Sequence, residues 1–261
     1  MDLKEIKGQV ILLAKECGKF MQSEAKNFHY SRVEFKGKND LVSYVDKELE
    51  IQIVKVLRQI LPEAGFLTEE GTVSQDNNPL KWVIDPLDGT TNFIHGLPVY
   101  STSIALINEN DLLVGVVNDP NRHECFHAYK GGGAFCNSDL ITVSKLDRIE
   151  DSLLATGFPF YNFDKLDQYV NILNDLMKNA HGLRRMGSAA IDLAYVAMGR
   201  YEAYFEYNLN AWDLAAGALI VQEAGGKVTD FSGGNNFLFG KELIAANSIH
   251  SEMMEVIKKH W

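Results

Sequence analysis

Two aspartates stand three positions apart, directly after a run of apolar residues. They belong to the segment Trp82-Val83-Ile84-Asp85-Pro86-Leu87-Asp88-Gly89-Thr90-Thr91-Asn92-Phe93. The carboxylates of Asp85 and Asp88, with the Leu87 carbonyl between them, offer the hard oxygen ligands that Mg²⁺ and Ca²⁺ prefer. The amides of Gly89 and Thr90 would lie at a helix N-terminus, which suits a phosphate group. The segment therefore predicts metal ions and a phosphate held side by side, although Asp, Gly and Thr are also common in simple turns.

Carboxylates at three other places stand where a predicted strand ends or a predicted helix begins. Glu69 follows the short apolar run at 65–67, Asp46 opens an amphipathic helix, and Asp213 opens an alanine-rich helical run. Each also has a simpler interpretation. Glu69 would be a solvated loop residue, Asp46 an N-cap, and Asp213 a favourable partner of the helix dipole. The residues alone leave both interpretations open.

Taken whole, the Asp85 segment resembles the metal-binding signature of the inositol monophosphatase family, a group of lithium-sensitive, magnesium-dependent sugar phosphatases. Further matching elements occur in the family's order: Lys36-Gly37-Lys38-Asn39-Asp40-Leu41-Val42-Ser43-Tyr44-Val45-Asp46, Thr68-Glu69-Glu70, Gly187-Ser188-Ala189-Ala190, Glu206 and Trp212-Asp213. Ser43 replaces the common Thr and keeps the hydroxyl. Phe158 and Pro159 stand where some members carry a substrate-contacting serine, a departure that bears on substrate selectivity.

The resemblance implies a role for each matching residue. Glu69, Asp85 and the Leu87 carbonyl would hold one Mg²⁺, and Asp85, Asp88 and Asp213 another, with two or three ions per active site. The implied catalytic residues are Asp46, Glu69 and Thr90, with Thr90 oriented by Asp46 toward the attacking water. The implied substrate-binding residues are Asp88, Gly89, Thr90, Gly187, Ser188, Ala189 and Glu206.

The implied reaction is Mg²⁺-dependent hydrolysis of a phosphate monoester by metal-activated water, with a small phosphorylated polyol, myo-inositol monophosphate, as the expected substrate. Related phosphatases that act on fructose-1,6-bisphosphate or adenosine 3′,5′-bisphosphate are the alternatives, and a non-catalytic binding or regulatory module on the same fold is a third. Glu206 and the Thr90-Thr91-Asn92-Phe93 sequence favour inositol monophosphate.

Arg184 and Arg185, which precede the Gly187-Ser188 element, are interpreted as surface charges.

The composition restricts the class of protein. The chain has 261 residues, of which 46% are hydrophobic and 23% charged, as in ordinary globular proteins. Its net charge of −10 argues against nucleic acid as the main ligand. No apolar run is long enough to span a membrane, and the N-terminus lacks the pattern of a signal peptide, so a cytoplasmic location is expected. The three cysteines form no CxxC pair, which predicts reduced thiols. The family resemblance predicts a homodimer.

The pattern of elements predicts an α+β protein of one domain over residues 1–261. Its N-terminal subdomain, about 1–145, has helices at 3–27 and from Asp46 to before Pro62, then strands at 65–68, 81–84, 99–107, 112–118 and 124–128. Its C-terminal subdomain, about 146–261, alternates strands at 152–156 and 202–206 with helices at 164–180, 188–198, 212–224 and 248–260. The family resemblance implies a layered α-β-α-β-α sandwich with the active site between the subdomains.

Overall fold

The computed structural model describes residues 1–28, 33–37, 40–74, 78–159 and 162–261. The helices are α1 (Leu3–Lys26), α2 (Tyr44–Ile60), α3 (Thr90–Ile94), α4 (Leu166–Asn179), α5 (Ala189–Ala197), α6 (Ala211–Glu223) and α7 (His250–His260). The strands are β1 (Val33–Gly37), β2 (Asp40–Ser43), β3 (Gly65–Thr68), β4 (Leu80–Asp88), β5 (Ser101–Asn108), β6 (Asp111–Asp119), β7 (Glu124–Tyr129), β8 (Ala134–Cys136), β9 (Asp139–Ile141), β10 (Leu153–Thr156), β11 (Gly182–Arg184), β12 (Ala203–Tyr207), β13 (Lys227–Thr229) and β14 (Glu242–Ala246).

The first large sheet has seven strands in the order β3-β4-β5-β6-β7-β8-β9. Its β3–β4 pair is parallel, and the remaining neighbours are antiparallel. Successive side chains of a strand point to opposite faces, and β5 uses both of them. Ile104 and Leu106 pack on the face covered by α1 and α2, whereas Ala105 and Ile107 pack on the face covered by α5 and α6. Both faces of this sheet are therefore buried.

The second large sheet has five strands in the order β11-β10-β12-β14-β13. Strand β10 is parallel to both of its neighbours, and β14 is antiparallel to both of its own. Strand β12 again alternates, since Tyr204 faces α5 and α6 while Phe205 and Tyr207 face α4 and α7. The order of layers is α1/α2, first sheet, α5/α6, second sheet and α4/α7, so the predicted five-layer sandwich is confirmed.

Helices α5 and α6 form the central layer, and small residues let them lie close to their neighbours. A Cβ at Gly115 of β6 would come within 2.7 Å of the Ala216 carbonyl oxygen on α6. A Cβ at Gly217 would come within 2.6 Å of the Leu193 side chain on α5. This close packing brings the N-terminal ends of both helices next to the end of β4.

The predicted helices and strands of the described ranges are present, with ends shifted by a few residues. The interpretation of Asp46 as the N-cap of α2 is wrong. Ser43 is the N-cap and Asp46 is the third helical residue, because the two side chains form a capping box. All three cysteines are free and buried. No helix in the described ranges has the length and apolar character to cross a bilayer. The single domain with a boundary near residue 145 stays an interpretation.

Candidate active site

A cavity of about 330 Å³ lies where the two large sheets and the central helices meet. It collects nearly every residue that the sequence singled out. Its lining residues are Glu69, Asp85, Leu87, Asp88, Gly89, Thr90, Thr91, Gly157, Arg185, Gly187, Ser188, Ala189, Asp192, Glu206, Leu209 and Asp213. Asp46 lies behind this wall. Lys38 and Asn39 of the first matching element lie outside the described residues.

The end of β4 supplies two carboxylates and a carbonyl. The pairing of β4 with β5 is irregular between Asp85 and Asp88, which breaks the regular alternation of side chains. Asp85 is 2% exposed, and its Oδ1 accepts a hydrogen bond from the Leu87 N–H at 3.0 Å. Asp88 is 8% exposed, and its Oδ2 accepts bonds from Ser188 Oγ at 2.6 Å and from the Ala190 N–H at 2.7 Å. The other Asp88 oxygen remains available to a ligand.

Asp46 connects the start of α2 to Thr90. Its Oδ2 accepts hydrogen bonds from the Ser43 N–H at 2.8 Å and from Ser43 Oγ at 2.6 Å. Its Oδ1 accepts a hydrogen bond from Thr90 Oγ1 at 2.8 Å. The predicted orientation of Thr90 by Asp46 is therefore present, and a capping residue of one helix holds the hydroxyl of another segment.

Glu69 and Asp213 reach the cavity from two different elements, the end of β3 and the start of α6. The Glu69 N–H donates to the Ile84 carbonyl at 3.2 Å, which extends the β3–β4 pairing by one residue. Asp213 is the third residue of α6 and forms a capping box with Asn210. Its Oδ2 accepts a hydrogen bond from the Asn210 N–H at 2.7 Å. The Asp213 carboxylate is thus held by the backbone at the start of its own helix, whereas for Glu69 it is the backbone that is held, by β4.

The converging carboxyl groups raise one another's pKa values. Burial is the main cause for Glu69, Asp85, Asp88 and Asp213. The Asp213 charge further raises the pKa of Glu69, and the Glu69 charge further raises the pKa of Asp85. Burial raises the pKa of Asp88 to about 6, against the opposing hydrogen bonds from Ser188 and the Ala190 N–H. The positive charge near these four carboxyl groups is therefore too small to balance their negative charge.

This end of the cavity has the chemistry of a site for a hard divalent cation. In the described part of the chain, no group of three His, Cys, Asp or Glu side chains is spaced as a ready ligand set. Glu69 and Asp85 instead hydrogen-bond to each other. The donors are nevertheless all oxygen atoms, as Mg²⁺ requires. Glu69 and Asp85 would both bind a cation as carboxylate ligands instead of bonding to each other, and the cation would compensate their charges. The residues therefore fit a Mg²⁺ ion.

Two glycine turns meet beside the carboxylates. Gly89 has φ +100° and Gly187 has φ +90°, a region that residues with a Cβ seldom adopt. A Cβ at Gly89 would also come within 2.8 Å of the Val99 carbonyl oxygen. The Asn92 Nδ2 amide donates to the Val99 carbonyl at 2.8 Å and to the Met186 carbonyl at 2.9 Å, which ties the two turns together.

Glu206 of β12 also lines the cavity. It is 7% exposed and accepts a hydrogen bond from the Tyr204 hydroxyl. Burial raises the pKa of Glu206 to about 7, while the Tyr204 hydrogen bond and the Arg185 charge act in the opposite direction. A Cβ at Gly157 would lie within 1.9 Å of the Glu206 carboxylate, so only glycine leaves room for it there. The Glu206 charge also helps to raise the pKa of Asp213, so Glu206 faces the same cavity as the carboxylate cluster.

The structure corrects one interpretation. Arg184 and Arg185 are both exposed, but Arg185 also lines the cavity, and its guanidinium lies 5.8 Å from the Phe158 ring centre. The interpretation of a plain surface charge is therefore wrong for Arg185. Sequence reasoning also missed Asp192 and the buried Glu50. The helical spacing of Asp192 from Ser188, four residues, was the available signal for the first.

Comparisons with known proteins agree with the geometry of this site. The profile of the inositol monophosphatase family matches residues 2–261. Nus factor SuhB of Haemophilus influenzae is 46% identical over 225 residues, which cover 85% of this chain and 84% of the relative. Inositol-1-monophosphatase of Mesorhizobium japonicum is 36% identical over 252 residues, 96% of this chain and 95% of the relative. The crystal structure of the extragenic suppressor protein suhB from Bartonella henselae superposes with a TM-score of 0.91 at 38% identity, covering 97% and 98% of the two chains.

Glu50 of α2 holds the segment that carries Glu69. Its Oε2 accepts a hydrogen bond from the Glu70 N–H at 2.7 Å. Its Oε1 accepts from the Thr68 hydroxyl at 2.9 Å and from the N–H and hydroxyl of Thr72, both at 2.7 Å. Four donors therefore converge on one buried carboxylate, on both sides of Glu69.

We expect Glu50→Gln to loosen this segment. The new amide replaces one acceptor oxygen by a donor, and hydrogen bonds to charged groups contribute about 1.5–3 kcal/mol each. Hydrogen exchange should show lost protection of the Glu70 and Thr72 amides, together with a lower Tm. Glu48→Gln, on the exposed face of the same helix, is the matched control and should change neither. Unchanged protection in Glu50→Gln would show that other contacts fix the segment.

Proposed function

We propose, because this chain belongs to the inositol monophosphatase family, that it hydrolyses a phosphate monoester of a small polyol, myo-inositol monophosphate, with Mg²⁺ as cofactor. The observation that supports the proposal most is the convergence of Glu69, Asp85, Asp88 and Asp213 on one cavity beside two glycine turns. A carboxylate cluster without a paired cation suits metal ions, and exposed amides at a turn suit a phosphate.

The cofactor would be held by residues of three elements. Glu69, Asp85 and the Leu87 carbonyl would form one Mg²⁺ site, and Asp85, Asp88 and Asp213 a second. Bound Mg²⁺ would neutralise phosphate oxygens, lower the pKa of a water molecule and stabilise the leaving oxygen. Asp85 is central to both sets, and its near-complete burial at the end of β4 fixes where both would form.

Thr90 is proposed to receive the proton or hydrogen bond of the attacking water. Its hydroxyl has two acceptors, Asp46 Oδ1 at 2.8 Å and the Leu87 carbonyl at 3.1 Å, so its hydrogen is used on that side and the Thr90 oxygen keeps its lone pairs for a water donor. Asp46 is in turn held by two hydrogen bonds from Ser43. The Gly89 and Thr90 amides would bind the phosphate oxygens at the adjoining turn.

The polyol would lie between the Gly187 turn and Glu206. The Glu206 carboxylate, the free oxygen of Asp88 and the backbone of Ser188 and Ala189 can each bond a hydroxyl group. Fructose-1,6-bisphosphate and adenosine 3′,5′-bisphosphate stay alternative substrates. The proposal includes a homodimer, sensitivity to Li⁺ and a cytoplasmic location.

The first test of the chemistry is the pair of variants Asp85→Asn and Asp213→Asn. Each removes one charged ligand of a hard cation, and since second-shell changes alone cost about 10–100-fold in activity, we expect a loss of at least about 100-fold. Phosphate release should be measured against Mg²⁺ concentration, with myo-inositol monophosphate as substrate. Asp111→Asn, which changes an exposed carboxylate away from the cavity, should behave as the parent. Near-parental turnover of a folded Asp85→Asn or Asp213→Asn variant would refute the metal assignment.

Glu206→Gln separates recognition from chemistry. We expect it to lower kcat/KM for inositol monophosphate by about 10- to 100-fold, because a charge-assisted hydrogen bond contributes about 1.5–3 kcal/mol. Hydrolysis of phenyl phosphate, which lacks the hydroxyls, should change little. Equal losses on both esters would mean that Glu206 supports the metal site or the fold.

The second candidate function is that of a Nus factor, supported by the name of the 46% identical relative from Haemophilus influenzae. We propose that the chain associates with RNA polymerase and that this association does not need the phosphatase site. The acidic net charge of −10 is more compatible with a protein partner than with direct nucleic-acid binding.

We expect Asp213→Asn to co-elute with RNA polymerase of the same organism as the parental protein does in size-exclusion chromatography, although its hydrolytic activity is lost. The change is internal to the cavity and leaves the outer surface unaltered. Absence of co-elution for the parental protein would remove the Nus-factor candidate. Loss in the variant alone would link the two functions.

A further inference from the structure

Asp192 is a buried acid of the cavity wall without a role in the reaction described above. It lies on α5 one turn after Ser188, whose carbonyl accepts a hydrogen bond from the Asp192 N–H at 3.0 Å. The residue is 2% exposed and lines the cavity. Among the described residues, no group donates a hydrogen bond to its Oδ1.

The other acids near this wall have donors. Ser43 donates to Asp46, Ser188 to Asp88, the Asn210 N–H to Asp213 and Tyr204 to Glu206. Asp192 is different because its buried Oδ1 receives no bond from the protein, and an unsatisfied buried acceptor destabilises the folded state. Because Asp192 lines the cavity, its carboxylate can accept a hydrogen bond from a donor group of a bound ligand.

The surroundings of Asp192 indicate the chemistry of that donor. Burial and the charges of Glu206 and Asp88 raise the pKa of Asp192, while the Arg185 charge lowers it. An anionic ligand group would be repelled by Asp192 and Glu206 together, whereas hydroxyl groups donate readily to carboxylates. The broad χ2 torsion of Asp lets either carboxylate oxygen turn toward the cavity.

We propose that Asp192 binds a hydroxyl group of the substrate and that, with Glu206, it forms a pair of carboxylates that selects polyol phosphates. This rests on the proposed function, because it assumes a phosphate ester bound between the Gly187 turn and Glu206. Asp192 is thereby a specificity residue on a helix distinct from the strand that carries Glu206.

The test is Asp192→Asn, assayed with myo-inositol monophosphate and with phenyl phosphate. We expect kcat/KM for the polyol ester to fall about 10- to 100-fold and that for the aryl ester to change less than about threefold. The Tm of the ligand-free variant should equal or exceed that of the parent, because the cost of ionising a buried carboxyl group that lacks a donor to its Oδ1 has been removed.

Glu202→Gln is the matched control. Glu202 is also buried, at 4% exposure, but its Oε2 accepts the Leu153 N–H at 2.7 Å and it does not line the cavity. We expect this variant to lower Tm and to leave the ratio of the two kcat/KM values unchanged.

Every other outcome for Asp192→Asn overturns the inference. Equal losses on both esters, or a lower Tm with an unchanged substrate ratio, would make Asp192 a structural residue. An unchanged kcat/KM for both esters would mean that no hydroxyl group of the substrate contacts its carboxylate. If the parent hydrolyses phenyl phosphate but no polyol phosphate, the proposed substrate class itself is wrong. If instead the parent prefers the polyol ester and Asp192→Asn keeps that preference, only the role of Asp192 is wrong.

Discussion

The burial of several carboxylates around one cavity is the constraint on which the rest of the site depends. A charged carboxylate loses hydration when it is buried, and a second one nearby adds repulsion. The chain offsets part of this cost with backbone donors, since the N–H groups of Leu87, Ala190 and Asn210 each point at one carboxylate. The raised pKa values that remain show that the compensation is incomplete. A divalent cation is the simplest partner for such a cluster.

Short-range hydrogen bonds explain how two of the carboxylates near the cavity are held in place. Asp46 and Asp213 are each the third residue of a helix and form capping boxes with Ser43 and Asn210. Their orientation is therefore fixed by residues three positions away, and each also stabilises its own helix. The sequence could identify these positions because the relevant spacing is local. The N-cap predicted for α2 was nevertheless wrong, because Ser43 occupies that position and Asp46 is the third residue of the helix.

Residues whose function depends on distant parts of the chain were less accessible to sequence reasoning. The spacing of apolar residues predicted the longer helices and seven of the fourteen strands in the described ranges, and the family resemblance predicted the order of layers. The strands that it did not predict are β1, β2, β8, β9, β11, β13 and β14. Glu50 could not be recognised, because its donors lie 18 to 22 residues away, at the end of β3 and in the loop that follows it. Arg185 was read as a surface charge because an Arg-Arg pair normally is one. Its place at the cavity follows only from the packing of its loop against Phe158.

The two ends of the cavity differ in how they are assembled, and this bears on substrate choice. At the carboxylate end, Asp85, Leu87 and Asp88 belong to one strand, so their relation is fixed by four consecutive residues of backbone. The rest of the cavity wall is built from separate segments around Gly157, Arg185 to Asp192 and Glu206. A change near Gly157 or Glu206 alters that part of the wall, whereas Ser188 and Ala190 also hold the Asp88 carboxylate of β4. Hydrolytic chemistry can therefore be shared among proteins of this fold while substrates differ, which is why the family is better evidence for the reaction than for the molecule that undergoes it.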